Sequence, residues 1–345
     1  MTNFLISGNP TPWAVDITPD GHYVFVANYS TNNVSVINTL TNTVVYTVPL
    51  RCGTDLPTNP RGIAISPDGS HTIVASNNRY LTSLEVRQVL NGETCSAISN
   101  KVYTAGTAFW DISFSPDGER GVVPAGGDTG VVLEVEAVRY YITDAVNPEY
   151  MDTVTNYQLP RTNGAWRQPR GVAMLPQRVA ATPTQPWWSL VVNNGLSSDT
   201  IEHGVLLRVP ALIRQDWIDT TPSHLPLYTL TRGEDAVVSK LGERAFITFG
   251  TSANIGVTGP IEGTATENDI YTATRRCSAS NTYGCPCPSG TCDCRVRKLV
   301  YTPYQDKILA TVWWTSQANS KVMILDATQV AMGDTTYPIP SSAYS

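Results

Sequence analysis

Pro60-Arg61-Gly62-Ile63-Ala64-Ile65-Ser66-Pro67-Asp68-Gly69 decides the fold, because it writes out one strand and one turn, and approximate copies of it recur down the chain. Ile63 and Ile65 alternate with the small Ala64 and Ser66, the period of two that puts alternate side chains on one face of a strand. Pro67 then presets φ, the Asp68 side chain can bond its own turn backbone and Gly69 is free to take positive φ, so a tight turn is predicted. A second strand is predicted over residues 72–76.

Two further copies keep the full turn: Trp13-Ala-Val-Asp-Ile-Thr-Pro19-Asp20-Gly21 and Trp110-Asp-Ile-Ser-Phe-Ser-Pro116-Asp117-Gly118. Asp20 to Asp68 is 48 positions and Asp68 to Asp117 is 49, inside the period of about 40 to 50 residues expected of a four-stranded propeller blade. Weaker copies follow at Arg170-Gly-Val-Ala-Met-Leu-Pro176, Glu234-Asp-Ala-Val-Val-Ser-Lys240 and Arg297-Lys-Leu-Val-Tyr-Thr-Pro303. Their intervals of 60, 64 and 63 residues read as one blade plus an added loop each. A second and a third β-rich run follow each turn, and a shared ending, at 46–49, 157–160, 228–231 and 337–340, reads as the fourth strand. The expectation is an all-β chain forming a single β-propeller domain over 1–345, with six four-stranded blades favoured and seven as the alternative. Residues 2–7 and 336–340 both offer a strand that could close the ring.

Bulk composition narrows the function classes. Of 345 residues, 41% are hydrophobic and 15% charged, which is ample for a core, and no apolar run approaches the roughly 18 residues a membrane helix needs. A net charge of -6 and pI near 5.2 leave no positive field for nucleic acid. Met1 leads into Phe4-Leu-Ile6 without a basic segment, so no signal peptide is read within these residues; either the chain is cytoplasmic or a leader has been removed.

The first unit carries a family resemblance. Pro12-Trp-Ala-Val-Asp-Ile-Thr-Pro-Asp-Gly-His-Tyr-Val-Phe-Val-Ala-Asn28, with Asn32-Asn-Val-Ser-Val-Ile-Asn38 and Thr41-Asn-Thr-Val-Val-Tyr-Thr-Val-Pro49, resembles the repeat of the YVTN β-propeller family. The match continues in part through the second and third units. What the resemblance implies is a propeller of surface-layer, periplasmic or secreted proteins, related more distantly to lactonase-like propellers, and hence an extracellular, cell-surface or periplasmic location.

In a propeller the loop leading into the innermost strand and the turn after it lie on opposite faces. The aligned leading position reads Trp13, Arg61, Trp110, Arg170, Glu234 and Arg297. Three guanidiniums, two indoles and one carboxylate around a channel mouth suit an anionic or sugar-like ligand, through fork-shaped donors and planar stacking. The competing reading is that they plug the axis. Outside the mouth no catalytic set, metal site or cofactor motif is found. His22 and His71 follow turns, where a solvent-facing polar residue is expected, and His203 and His224 have no ligand spacing. Asp20, Asp68 and Asp117 are assigned to turn chemistry. The Asn28 and Asn33 sequons are read as chance.

Five of seven cysteines, Cys277, Cys285, Cys287, Cys292 and Cys294, fall in 18 residues, read as an insertion over 277–294 within blade five that replaces its fourth strand. A disulfide knot, a metal-thiolate cluster and a redox motif compete, and disulfides are favoured because cross-links stabilise a loop too small for its own core. Cys52 and Cys95 are not expected to pair with each other. The functional expectation is a non-enzymatic extracellular or cell-surface scaffold for binding and assembly, meeting a protein or glycan partner through long loops and one mouth. Trp187-Trp188 and Trp313-Trp314 are candidate contacts for self-assembly into a homo-oligomer. The alternative is a lactonase-like or lyase-like enzyme at the same mouth, with a divalent ion on Glu234 or Asp235.

Overall fold

In a computed structural model, described for residues 11–54, 56–94, 98–103, 108–126, 131–136, 153–158, 168–178, 187–194, 202–209, 213–219, 233–239, 245–249, 255–258, 270–273, 294–302, 307–314 and 321–326, each repeat unit folds as its own antiparallel meander. Sheet one is β1 (Pro12–Ile17), β2 (Tyr23–Asn28), β3 (Asn33–Asn38) and β4 (Thr43–Pro49). Sheet two is β5 (Pro60–Ile65), β6 (His71–Ser76), β7 (Tyr80–Glu85) and, after the one-turn helix α1 (Val86–Leu90), β8 (Ile98–Val102). Sheet three holds β9 (Ser113–Phe114), β10 (Arg120–Ala125), β11 (Val131–Glu136) and β12 (Thr153–Gln158). Sheet four holds β13 (Pro169–Arg178), β14 (Trp187–Asn193), β15 (Glu202–Val209) and β16 (Ile213–Asp219). Sheet five is β17 (Gly233–Val238), β18 (Ala245–Phe249), β19 (Ile255–Thr258) and β20 (Ile270–Ala273), and sheet six is β21 (Cys294–Tyr301), β22 (Lys307–Trp314) and β23 (Lys321–Asp326).

The cores lie between sheets, as small sheets that cannot bury their own faces require. Phe25, Val34 and Val36 of sheet one pack on Ile63, Val74 and Leu84 of sheet two, and Ile73 and Leu81 pack on Phe109, Val123 and Leu133 of sheet three. Leu190 and Val192 of sheet four meet Ala236 and Ile247 of sheet five. Val300 of sheet six packs against Val15, Val26 and Ile37 of sheet one, so the last sheet returns to the first. The innermost strands repeat this circuit: β1 touches β5, β5 touches β9, and so on through β13, β17 and β21, which touches β1.

The turns behave as their sequence requires. Gly21, Gly69 and Gly118 take φ of 74°, 72° and 73°. Asp20, Asp68 and Asp117 each accept a hydroxyl from the residue two before and a backbone N–H from the residue two after. His22 is exposed, but His71 is buried at the start of β6 and shares a hydrogen bond of 2.8 Å with Ser70 Oγ, which corrects its expected solvent-facing place. Burial pulls its imidazole below the ordinary value against the opposing charge of Asp68.

Two strand assignments are corrected. Sheet five has its fourth strand, β20, ahead of the cysteine-rich stretch, and Cys294 already opens β21; that stretch therefore joins sheets five and six rather than replacing a strand. In sheet four the outer strand is β16, not residues 228–231, because the chain turns back as soon as Ile213–Asp219 can pair with β15. Residues 274–293, 228–231, 2–7 and 336–340 lie outside the described residues.

Where sheets come closest, no side chain fits. A Cβ at Gly62 would lie 2.5 Å from Asp111 Cα, and one at Gly171 would lie 2.4 Å from Asp235 Cα. Both contacts are with backbone, which cannot rotate away. Gly171→Ala is expected to lower stability by about 1–3 kcal/mol, the usual size of an overpacking defect, measured by urea denaturation; an unchanged midpoint would show that the sheets can separate freely there.

Candidate functional site

In five of the six units the leading residue of the inner strand lies at a bulge that turns it toward the axis. The register of β1 with β2 slips between Pro12 and Ala14, β5 with β6 between Pro60 and Gly62, β13 with β14 between Pro169 and Gly171, and β17 with β18 between Gly233 and Asp235. The residues skipped are Trp13, Arg61, Arg170 and Glu234. The slip in β21 spans Arg297 and Lys298. A bulge inserts one residue into the ladder and re-aims its side chain. Alternation alone could not have located it.

All six leading residues meet. Arg61 Cζ lies 5.6 Å from the Trp13 ring centroid and 3.6 Å from that of Trp110, and Arg170 Cζ stacks on the same indole at 3.9 Å. Arg170 Nη1 donates to Glu234 Oε1 at 2.9 Å, Arg297 Nη1 to Glu234 Oε2 at 2.7 Å, and Arg297 Cζ comes within 5.0 Å of the Trp13 centroid. The sequence of contacts closes on itself. Tyr29, which the sequence reading overlooked, stacks on Trp13 at 4.8 Å and lies under Arg61 at 5.6 Å.

The charges in this ring are unequal. One carboxylate stands among three guanidiniums, and its two arginine partners are Arg170 and Arg297. Arg61 pairs with no carboxylate among the described residues; its Nε and the Trp110 Nε1 are buried and have no hydrogen-bond partner. Burial holds the Arg61 guanidinium below its ordinary value, with Tyr29 and Glu234 opposing that shift and Arg297 adding to it. A partly buried, aromatic-flanked guanidinium with no carboxylate partner among the described residues has donors to offer an anion.

Beneath the ring is a second charged layer. Lys298 Nζ lies 2.7 Å from Asp111 Oδ2 and 3.0 Å from Asp235 Oδ1, with all three residues buried. Their positions follow directly after Trp110, Glu234 and Arg297, where other units carry Ala14, Gly62 and Gly171. A charge in place of a small residue was the available signal for this layer, and Asp235 alone had been considered. The carboxylates also cap backbone: Val172 N–H donates to Asp111 Oδ2 at 3.2 Å, Leu299 N–H to Asp235 Oδ2 at 2.6 Å, and, further along, Ile65 N–H to Asp16 Oδ2 at 2.7 Å. Burial pushes the Asp235 carboxyl up to about 8, against the pull of Lys298 and with Asp111 adding to it. Asp111 and Asp235 together hold the Lys298 ammonium above its usual value although burial works the other way.

Below this layer the axis opens into a cavity of about 260 Å³. Asp16, Asp111, Asp235 and Lys298 are in its wall, and none of the six ring residues is. Ring and cavity are therefore separate compartments of one axis. Exclusion of water pushes the Asp16 carboxyl up to about 6, with the Ile65 and Ile17 amides limiting the rise. A carboxyl raised in the folded state binds its proton more tightly there than in the unfolded chain, so its stabilising share is complete at low pH and is lost as pH rises from about 4 through about 6. The native chain is expected to lose up to about 1.4 kcal/mol per pH unit across that window relative to Asp16→Asn, read from denaturation curves at pH 4, 5, 6 and 7. Parallel profiles for the two proteins would reject this.

The chain is similar in structure to the hydrazine synthase of Kuenenia stuttgartiensis, with a TM-score of 0.60 and 14% identity over 90% of this chain and 79% of that one. It is also similar to the β-propeller domain of Cps50 (Swd1) from Myceliophteria thermophila, with a TM-score of 0.56 and 11% identity over 94% and 89%. At these identities the likeness shows the fold, a β-propeller. No protein-family model and no curated protein sequence matches the chain. Among the described residues no helix is long and apolar enough to cross a membrane.

Proposed function

We propose that this protein is a six-bladed, YVTN-type β-propeller that works outside the cytoplasm as a non-enzymatic binding scaffold, taking an acidic glycan or similar anion at the channel mouth. The observation that carries the reading is Arg61, a guanidinium held between Trp13, Tyr29 and Trp110 with no carboxylate of its own among the described residues. Sugar rings stack on indoles and acidic substituents accept from guanidinium forks, so the rim matches a uronate or sulfated sugar on both counts. The six sheets, the circuit of inner strands and the YVTN-like first units support the blade count and the family reading.

Calorimetric titration with uronate-containing and sulfated oligosaccharides tests it. Native protein is expected to bind them and to ignore neutral oligosaccharides, and Arg61→Met, which keeps a stem to fill the rim, to weaken binding at least tenfold with little change in melting temperature. Equal affinity in the variant, or a large loss of stability with no ligand found, would assign the ring to a plug.

The cysteine-rich connection supports a location outside the cytosol, where dense cysteines serve as cross-links. Cys52 is disulfide-bonded. Alkylation of the native protein followed by intact mass, with and without reductant, is expected to find at most three of the seven cysteines as thiols; six or more would overturn the disulfide reading.

A further inference from the structure

The axial cavity is lined by a different balance of charge from the mouth. Its lining holds three carboxyls, Asp16, Asp111 and Asp235, and one ammonium, Lys298; Asp235, pushed by burial up to about 8, keeps its proton at neutral pH. That ammonium is already held by Asp111 and Asp235. Asp16 stands apart from the triad on β1 and accepts one backbone N–H on each oxygen. A carboxylate has about four lone-pair directions, so each oxygen keeps the capacity for another donor. With its carboxyl up to about 6, Asp16 is mostly ionised at neutral pH.

The rest of the wall mixes apolar side chains with Ser113 and the polar backbone edges of the inner strands. Val15, Ile63, Ile112, Val172 and Leu299 line it, with Phe114 and Tyr301 as aromatic surfaces. A volume of about 260 Å³ equals the liquid volume of roughly nine waters, which fits a compact organic ion and excludes an oligosaccharide. The ring of Trp13, Arg61, Trp110, Arg170, Glu234 and Arg297 stands over the other side of the triad, and three guanidiniums there repel a cation. Pro67, Met174, Val238 and Tyr301 line the cavity toward the Pro-Asp-Gly turns, which leaves that face as the approach.

We propose that the axial cavity binds a small organic ammonium ion with an apolar body, which enters from the turn face and places its charge against Asp16 and its hydrocarbon against the inner-strand valines and isoleucines. The apolar side chains in the wall favour burial of the hydrocarbon, and the carboxylate of Asp16, which stands outside the ion-paired triad, supplies the counter-charge that a desolvated cation needs. An anion of the same shape meets the Asp16 carboxylate, while the one ammonium, Lys298, is already engaged by Asp111 and Asp235. This site is independent of the reading given to the mouth.

Isothermal titration with cyclohexylammonium, cyclohexanol and cyclohexanecarboxylate on the intact protein at pH 7.5 is the test. The ammonium is expected to bind, the alcohol to bind at least tenfold more weakly and the carboxylate not to bind. Asp16→Asn is expected to weaken the ammonium at least tenfold. Because that change also alters the cap on Ile65, Val237→Phe provides a second variant, which narrows the cavity without touching a charge and is expected to abolish binding of ammonium and alcohol alike. No binding of the ammonium at millimolar concentration, equal binding of alcohol and ammonium, or unchanged affinity in both folded variants would overturn the proposal.

Discussion

The constraint on which this structure depends is the unpaired edge of every innermost strand. β1, β5, β9, β13, β17 and β21 each end their sheet, so one row of their backbone groups faces the axis with no strand to receive it. Such an edge must be capped or it remains a buried cost. The caps are side chains of the neighbouring unit: Asp16 receives Ile65 N–H, Asp111 receives Val172 N–H, Ser113 receives Met174 N–H, and Asp235 receives Leu299 N–H. They run from sheet one to two, three to four and five to six. At the intervening junctions Gly62 and Gly171 let backbone approach backbone instead. Two solutions to one problem thus alternate around the described circuit.

Capping with carboxylates brings a second problem, the concentration of negative charge in a low-dielectric axis. Lys298 answers part of it by bridging Asp111 and Asp235 across three sheets, and the raised Asp235 carboxyl answers the rest by holding its proton. The opposite sign collects one layer above, where Arg170 and Arg297 share Glu234 while Arg61 and Arg170 lean on the Trp110 indole. The axis is polarised, cationic at the rim and anionic within. This segregation is the physical basis of the opposite ligand charges proposed for the two compartments.

The repeat was legible because turn chemistry is local. Pro, Asp and Gly at fixed offsets need only their own backbone, so three copies could be aligned without knowledge of any contact, and the positive φ of Gly21, Gly69 and Gly118 follows. The leading position was legible for the same reason, since the turn sets its register; the structure brings all six of its residues together. What failed was information carried by partners. Tyr29 joins the ring by stacking on a residue 16 positions earlier, and His71 is buried by packing that its place after a turn does not disclose. The outer strands of sheets four and five were misplaced because long connections separate them from the punctuated part of their units.

By itself, then, the sequence determined that the chain is a succession of antiparallel β units, where each begins and which residue leads each inner strand, since periodicity and turn propensity act over a few residues. Only the tertiary structure decided that bulges turn those leading side chains to a common axis, that Lys298 meets Asp111 and Asp235 from 187 and 63 positions away, and that ring and cavity are distinct. Contacts between different sheets have no period in the chain, and the energy of a buried charge depends on which partners the fold brings to it.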